Sequence, residues 1–315
     1  MKNYLPVLIL SAIILFSCSS NTKTINDSLV IDTLQGTSLL GADLISQQLD
    51  QVKDSIQISN YLVANAEYVD NPDNADALVW KGRRMAYLGD YKAAIEIFTE
   101  GIKKFPEDAR FYRHRGHRYI SLRQFDAAIS DLEKAAGLIA GTEDRIEPDG
   151  IPNARGIPVS TTHRNIWYHL GLVYYLVDDL ENALRGFNNC REISDNPDMF
   201  VASSHWVYMI LRRMGQEEEA NKILQTIDAN MDVFENMSYH NLLLFYKGII
   251  TEQELIGEDG EMSTAGNAVL YGLGNWYYYN GDIEKAKEIF TSLVDKGIWA
   301  AFGTIAAEAD LFRMK

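Results

Sequence analysis

The sequence predicts an all-α protein built as a solenoid of stacked helical pairs, and three observations predict it. Gly82 and Gly116 lie 34 residues apart, as do Tyr91 and Phe125, Ala94 and Ala128, and Phe98 and Leu132. Self-similarity at such a period marks supersecondary units that bury their apolar faces only by stacking. The period then recurs: units beginning at Ala75, Ala109, Arg164, Val201 and Asn267 carry Ala94, Ala128, Ala183, Ala220 and Ala286 at position 20 without exception. Third, 315 residues that are 47% apolar and 23% charged have the balance of a folded chain with a large core. The net charge of −15 argues against nucleic acid as a partner, because that affinity comes from Lys and Arg on phosphates. Two cysteines exclude a disulfide framework and Cys-rich zinc modules.

Taken in chain order, the first element is an address. Lys2 precedes the apolar run Leu5–Phe16, which as a helix would rise only about 18 Å against a hydrocarbon core of about 30 Å. A short apolar run with a basic start reads as a signal peptide, residues 1–17. Leu15-Phe16-Ser17-Cys18 resembles the bacterial lipobox. The resemblance implies cleavage before Cys18, its lipidation, and anchoring in a Gram-negative, Bacteroidetes-like envelope, on the periplasmic face of the outer membrane. The alternative is a plain secretory signal with an incidental cysteine. Membrane contact is then expected through the lipid alone, since two or three acyl chains hold where one is marginal. Residues 18–38 start rich in Ser, Thr and Asn and read as a flexible tether. Residues 39–74 are expected to form two capping helices.

Repeats one and two follow at 75–142, and repeats three and four at 164–234. Within each unit, Gly at position 8 (Gly82, Gly116, Gly171, Gly274) is expected to face the Ala at position 20 where two helices cross. The bulky residue at 24 (Phe98, Leu132, Phe187, Leu224, Phe290) should fill the space towards the next unit. Asp90, Asp179 and Asp282 can cap the second helix, with Gln124 and Gln216 as weaker substitutes; Gly89, Gly215 and Gly281 sit where the first helix must turn. Residues 143–163, with Pro148, Pro152 and Pro158, cannot be a helix and should project as a loop. Residues 235–266 read as a degenerate helical pair. Repeat five and a closing helix occupy 267–315, with Phe302, Ile305, Ala309 and Phe312 on one face.

This pattern resembles the tetratricopeptide repeat, with Trp167, Leu170, Gly171 and Tyr174 carrying the opening signature and Pro106 the closing one. The resemblance implies a right-handed α-solenoid whose first-helix positions 2, 5, 9, 12 and 13 line a concave groove. Carried over, these include Arg83 and Tyr87 in the first unit, Arg110, Arg113 and His117 in the second, and Tyr168 and Tyr175 in the third. His205 and Arg212 follow in the fourth, and Tyr271, Asn275 and Tyr278 in the fifth. Guanidiniums suit carboxylates, and tyrosine offers flat area with a hydroxyl handle. The expectation is a non-catalytic scaffold binding a protein or peptide, with an anionic end near Arg83, Arg110 and Arg113. The competing expectation is that these arginines pair with carboxylates of neighbouring helices.

Catalytic constellations are thin. His114 and His117 share a helix face without a helical carboxylate beside them, and no H-E-x-x-H occurs. Glu143, Asp144, Glu147 and Asp149 match no EF-hand spacing, so neither a metal nor a cofactor is expected. Cys190 at position 27 reads as core. Two other functions stand as alternatives: a glycan-capturing uptake lipoprotein, and a hydrolase using Trp167, Tyr168 and His205 beside the inserted loop.

Overall fold

The computed structural model describes residues 29–148, 152–257, 264–296 and 298–315, and its folded unit runs from Ile31 to Lys315. The signal segment 1–17, Cys18 and the first part of the tether lie outside the described residues. Five helical pairs form the body: α2 (Ala75–Tyr87) with α3 (Tyr91–Lys104), α4 (Ala109–Ser121) with α5 (Phe125–Ile139), and α6 (Thr162–Leu176) with α7 (Leu180–Glu192). α8 (Pro197–Arg213) then pairs with α9 (Glu217–Gln225), and α12 (Thr264–Tyr279) with α13 (Ile283–Asp295). Two short helices, α10 (Met237–Tyr246) and α11 (Glu252–Ile256), stand between the last two pairs, and α14 (Phe302–Arg313) ends the chain.

The pairs pack by a small-against-large rule that differs in detail from the sequence expectation. Position 8 faces position 24 of its own unit, not position 20. A Cβ on Gly82 would run into the Phe98 ring, one on Gly116 would meet Leu132 at 2.8 Å, one on Gly171 Phe187 at 2.8 Å, and one on Gly274 Phe290 at 2.6 Å. The alanines at position 20 are fully buried beside them. In the third pair the backbones themselves meet: a Cβ on Gly186 would stand 2.6 Å from Gly171 Cα. The first-to-second-helix turns share one geometry. Gly89, Gly215 and Gly281 have φ of 92°, 72° and 91°, and at the equivalent positions Arg123 (60°) and Asp178 (66°) adopt the same left-handed backbone. Asp90, Asp179 and Asp282 cap α3, α7 and α13 by accepting from Ala93, Asn182 and Lys285 N–H. Gln124 and Gln216 make no side-chain cap, which corrects the expectation that they substitute weakly for Asp.

Three elements depart from the sequence reading. Residues 39–74 hold one helix, α1 (Ser55–Asp70), not two. Ahead of it, β1 (Leu34–Thr37) and β2 (Asp43–Ile45) form an antiparallel hairpin pairing Leu34 with Ile45 and Thr37 with Asp43. Residues 29–38 are therefore not a free tether along their length. The hairpin is held by tertiary bonds: Gln35 Oε1 accepts from Tyr91 N–H (2.8 Å) and Lys92 N–H (3.0 Å), supplying the α3 N-terminus with an extra cap, and Lys92 pairs with Asp32 at 2.7 Å. The loop after α5 does not project. Its stems are pinned by Glu147 N–H to Ser160 O (3.0 Å) and Thr162 N–H to Arg145 O (2.9 Å), and it lies back on the body, where Arg155 forks onto Asp232. Finally, Ile305 and Ala309 are buried on α14, but Phe312, near the end of the same helix, is exposed.

A cleft on the concave side

The first helices of the pairs point into a hollow, and the chain fills much of that hollow itself. α14 enters it carrying two carboxylates. Glu308 meets Arg123 at 2.6 Å, with both side chains almost fully buried. Asp310 meets Arg213 (2.5 Å) and Arg313 (2.5 Å). Burial opposes ionisation of Asp310, yet Arg213 and Arg313 hold its carboxyl below the usual range.

This occupation decides the fate of the C-terminal groove residues. Tyr175 OH donates to Tyr271 (2.6 Å), whose own hydroxyl donates to Asp310 (2.9 Å); Arg213 donates to Asn275 Oδ1 at 2.6 Å. Tyr175, Tyr271 and Asn275 are thus core, and burial pushes both phenols above their ordinary pKa. Tyr168 OH accepts from Trp206 Nε1 at 2.8 Å and lies 3.0 Å from Tyr239 OH. His205 is 1% exposed, its ring 5.0 Å from that of Tyr239 and 5.8 Å from that of Tyr246. Arg212 donates to Asn280 (2.9 Å) and covers the Tyr279 ring, while Tyr278 lies under Arg213. His117 packs on His169 (4.4 Å between centroids) and on Phe302 of α14. Tyr168, Tyr175, His205, Tyr271 and Asn275 are buried within the body, which corrects their carry-over from the groove positions, while His117, Arg212 and Tyr278 stay partly exposed beside the partners just named. The signal that misled is positional: those positions do face inward, but inward is occupied.

The N-terminal half is different. A cleft of about 850 Å³ opens between α2, α4 and the inserted loop. Val79, Trp80, Phe105, Leu138 and Ile139 give it apolar walls, with Ile146 exposed on the loop side. Arg83 lies 4.2 Å over the Trp80 ring and Arg84 4.9 Å from it, so the indole is framed by guanidiniums. Arg110 is held by Asp108 (Nε to Oδ1, 2.9 Å) and Asp76 (2.5 Å), partners that raise its pKa, chiefly the Asp108 bond. The expectation of a free anionic-end receptor at Arg110 is corrected: its charge is already met. Arg113 pairs with Glu147 at 3.1 Å and Arg83 donates to Pro148 O at 2.8 Å. Tyr87 accepts weakly from Arg83 at 3.3 Å.

The residues that sequence reasoning did not place in the site are Trp80, Arg118 and Glu147. Trp80 and Arg118 fall at positions 6 and 10, off the groove register. Glu147 showed only as one carboxylate of an acidic loop. Three histidines beside the cleft are neutral by local chemistry. His114 Nδ1 lies 2.7 Å from Arg113 Nη1, which can only donate, so the His114 proton is on Nε2. His169 Nδ1 donates to Asn165 O at 2.6 Å, leaving Nε2 a bare acceptor with no partner. Burial, reinforced by the nearby arginines, holds His114, His117 and His169 well below the ordinary imidazole pKa. Among the described residues no group of three His, Cys, Asp or Glu is disposed to hold a metal.

Comparison with known proteins follows the same helical pairs. Residues 109–141 and 268–296 match models of the tetratricopeptide repeat. Small glutamine-rich tetratricopeptide repeat-containing protein 2 of Saccharomyces cerevisiae is 34% identical over 64 residues, 20% of this chain and 18% of its own. BBSome complex member BBS4 of Bos taurus is 26% identical over 141 residues, 45% of this chain and 23% of its own. The chain therefore spans less than a quarter of either relative, at 18% and 23% of their lengths. A solved tetratricopeptide repeat protein from Parabacteroides merdae superposes with TM-score 0.47 at 14% identity, covering 82% of this chain and 94% of that one. YrrB, a tetratricopeptide repeat protein with an unusual peptide-binding site, gives 0.41 at 16% identity over 74% of this chain and 91% of its own. The second and fifth helical pairs are thus matched directly, and this chain is a mostly helical solenoid in which those two pairs match the tetratricopeptide repeat.

Proposed function

We propose that the protein is a non-catalytic interaction scaffold that seats an extended segment of a protein partner in the cleft between α2, α4 and the inserted loop. One observation carries this reading: a cleft of ligand scale opens between α2, α4 and the inserted loop. Its volume of about 850 Å³ lies within the roughly 300–1,000 Å³ usual for built binding sites. Its chemistry suits a peptide, with an apolar wall for one or two bulky side chains and Asp76, Glu107, Arg83 and Arg145 near the main chain. Trp80 would be the anchor, since large aromatics carry most of the energy of such contacts.

The location belongs to the same proposal. Lys2, the run Leu5–Phe16 and the lipobox-like Leu15–Cys18 support lipid anchoring through Cys18 at a bacterial envelope, with the solenoid on the periplasmic side. Among the described residues no helix is long and apolar enough to cross a membrane. If Cys18→Ser leaves the protein as membrane-bound and as unprocessed as the parent, the anchoring reading fails.

A photo-crosslinking residue at Ile146, with Glu96 on the outer helix α3 as the control position, tests the binding reading in cells. The expected result is a product formed from position 146 and not from 96. With the captured protein purified, Trp80→Ala should then weaken binding about tenfold or more. Equal capture from both positions, or affinity unchanged by Trp80→Ala, would overturn it.

A further inference from the structure

A second cavity, about 280 Å³, shares Arg83, His114, Glu147 and Pro148 with the cleft as a common wall. Arg113, Arg118, His117, Tyr87, Ser160 and Asn165 line it further. Among the described residues its charges do not balance. Three guanidiniums, Arg83, Arg113 and Arg118, line it with one described carboxylate, Glu147. Among the described residues neither Arg83 nor Arg118 has a carboxylate within 4.0 Å, although both stand in a protein of charge −15. Arg83 is instead satisfied by neutral oxygens, Tyr87 OH and Pro148 O, and Arg118 lies 4.7 Å over the Tyr91 ring.

The ion pair found there among the described residues is incomplete. Arg113 and Glu147 side chains are 8% and 9% exposed, yet Arg113 Nε and Glu147 Oε2 have no hydrogen-bond partner. Buried guanidiniums are normally matched by anions, because an unpaired buried charge is costly. The remaining polar lining is rich in donors. His114 carries its proton on Nε2, as its Nδ1 accepts from Arg113, and Ser160 and Asn165 add a hydroxyl and an amide. Planar guanidiniums converging on a small cavity are suited to the paired oxygens of an oxyanion.

We propose that this pocket is a binding site for a compact oxyanion of about two negative charges, the number that neutralises the excess of Arg83, Arg113 and Arg118 over Glu147. Inorganic phosphate and short dicarboxylates share that chemistry. The site does not rest on the partner-segment reading: its ligand is a free small anion, and Trp80 is not among its walls.

Calorimetric titration of the full chain, in chloride buffer free of other oxyanions, tests it with two probes, inorganic phosphate and succinate. The expected result is saturable one-to-one binding of at least one probe with Kd of about 1 mM or tighter, weakening as chloride rises. Phosphate alone identifies a phosphoryl ligand, succinate alone a dicarboxylate; either supports the site. Arg118→Gln and Arg83→Gln should each weaken binding about tenfold, the loss of one charge-assisted bond, with Glu96→Gln, exposed on α3, leaving it unchanged. Where a variant fails to fold, the parent's melting temperature should rise with the binding probe and not with chloride of equal ionic strength. No saturable binding of either probe, the parent's affinity retained in both arginine variants, or no melting shift would each overturn the site.

Discussion

Glu308→Gln isolates the charge that ties the end of the chain to its second repeat. The substitution keeps the side-chain shape and an oxygen able to accept from Leu39 N–H, which now bonds to Oε1 of Glu308. What disappears is the negative charge opposite Arg123, two residues whose side chains are 2% and 3% exposed. Removing one partner of a buried pair typically costs about 3–5 kcal/mol, because the other charge stays buried and unmatched. Arg123 retains Ser121 O and Trp299 O (2.8 Å) as acceptors, so the lower end, about 3 kcal/mol, is expected here. With a urea m value of about 3 kcal/mol/M for a large domain, the midpoint should fall by about 1 M. Urea titration followed by circular dichroism and by tryptophan fluorescence reads it, since the Trp299 ring lies 5.8 Å from the Arg123 guanidinium and donates to Ile45 O at 2.7 Å. The double variant Arg123→Met, Glu308→Leu should recover much of the loss, because apolar replacement of a whole buried pair is often neutral. A midpoint within about 0.3 M of the parent for Glu308→Gln, equivalent to about 1 kcal/mol, would show that the closure does not depend on charge.

Two further outcomes follow from backbone contact and from burial. Gly186→Ala should destabilise by about 1–3 kcal/mol or more in a urea melt, since the added methyl meets Gly171 backbone at 2.6 Å and α6 and α7 must part. Gly137→Ala, in α5 with open space around it, should instead stabilise by about 0.5–1 kcal/mol; opposite signs are the test, and a stabilising Gly186→Ala would refute the packing rule. Burial pulls the His205 pKa down to about 3, so the unfolded chain takes a proton that the folded one refuses. The stability contributed by neutral His205 is complete above about pH 6.5 and is lost on acidification towards pH 3, at about 1.4 kcal/mol per unit. His205→Phe should flatten the fall in stability between pH 6.5 and 5 by about that slope, measured by urea midpoints at several pH values; an unchanged slope would place the titration elsewhere.

The pairs were legible because their signal is steric and local. A glycine, an alanine and a large residue at fixed offsets leave few ways to cross two helices, and Asp90, Asp179 and Asp282 mark where second helices start. Even so, the partner of each glycine was misassigned, since periodicity gives spacing and not direction. The hairpin at Leu34–Ile45 was illegible for the opposite reason. Leu34-Gln35-Gly36-Thr37 has no strand-like alternation, and its conformation is fixed by Gln35 reaching the amides of Tyr91 and Lys92, more than fifty residues away. Arg123 and Asp178 carried no turn signal, because neither is glycine, yet both hold φ above 60° or at it. The inserted loop declared itself by its prolines, but its docking depends on Arg155 and Asn153 finding Asp232 and Glu235, pairings that composition does not encode.

The groove residues show how chemistry can be read correctly and its counterpart misjudged. Arginines on an inward face of an acidic protein ask for carboxylates, and carboxylates do reach them: Glu147 from the loop, Asp310 from α14, Asp76 and Asp108 from the repeats. Each comes from the chain itself. α14 enters the hollow as an internal guest, its Asp310 on Arg213 and its Glu308 on Arg123, so the C-terminal end is bound by charge to the second and fourth repeats. An outside partner would have to displace buried ion pairs to use the C-terminal half, a cost of several kcal/mol per pair. Beside α2 and α4 that obstacle is absent from the apolar wall of Val79, Trp80 and Phe105, and the neighbouring arginines are in excess. The proposed recognition site therefore lies in the N-terminal half, because the interactions that make the C-terminal half a core are lacking at that apolar wall.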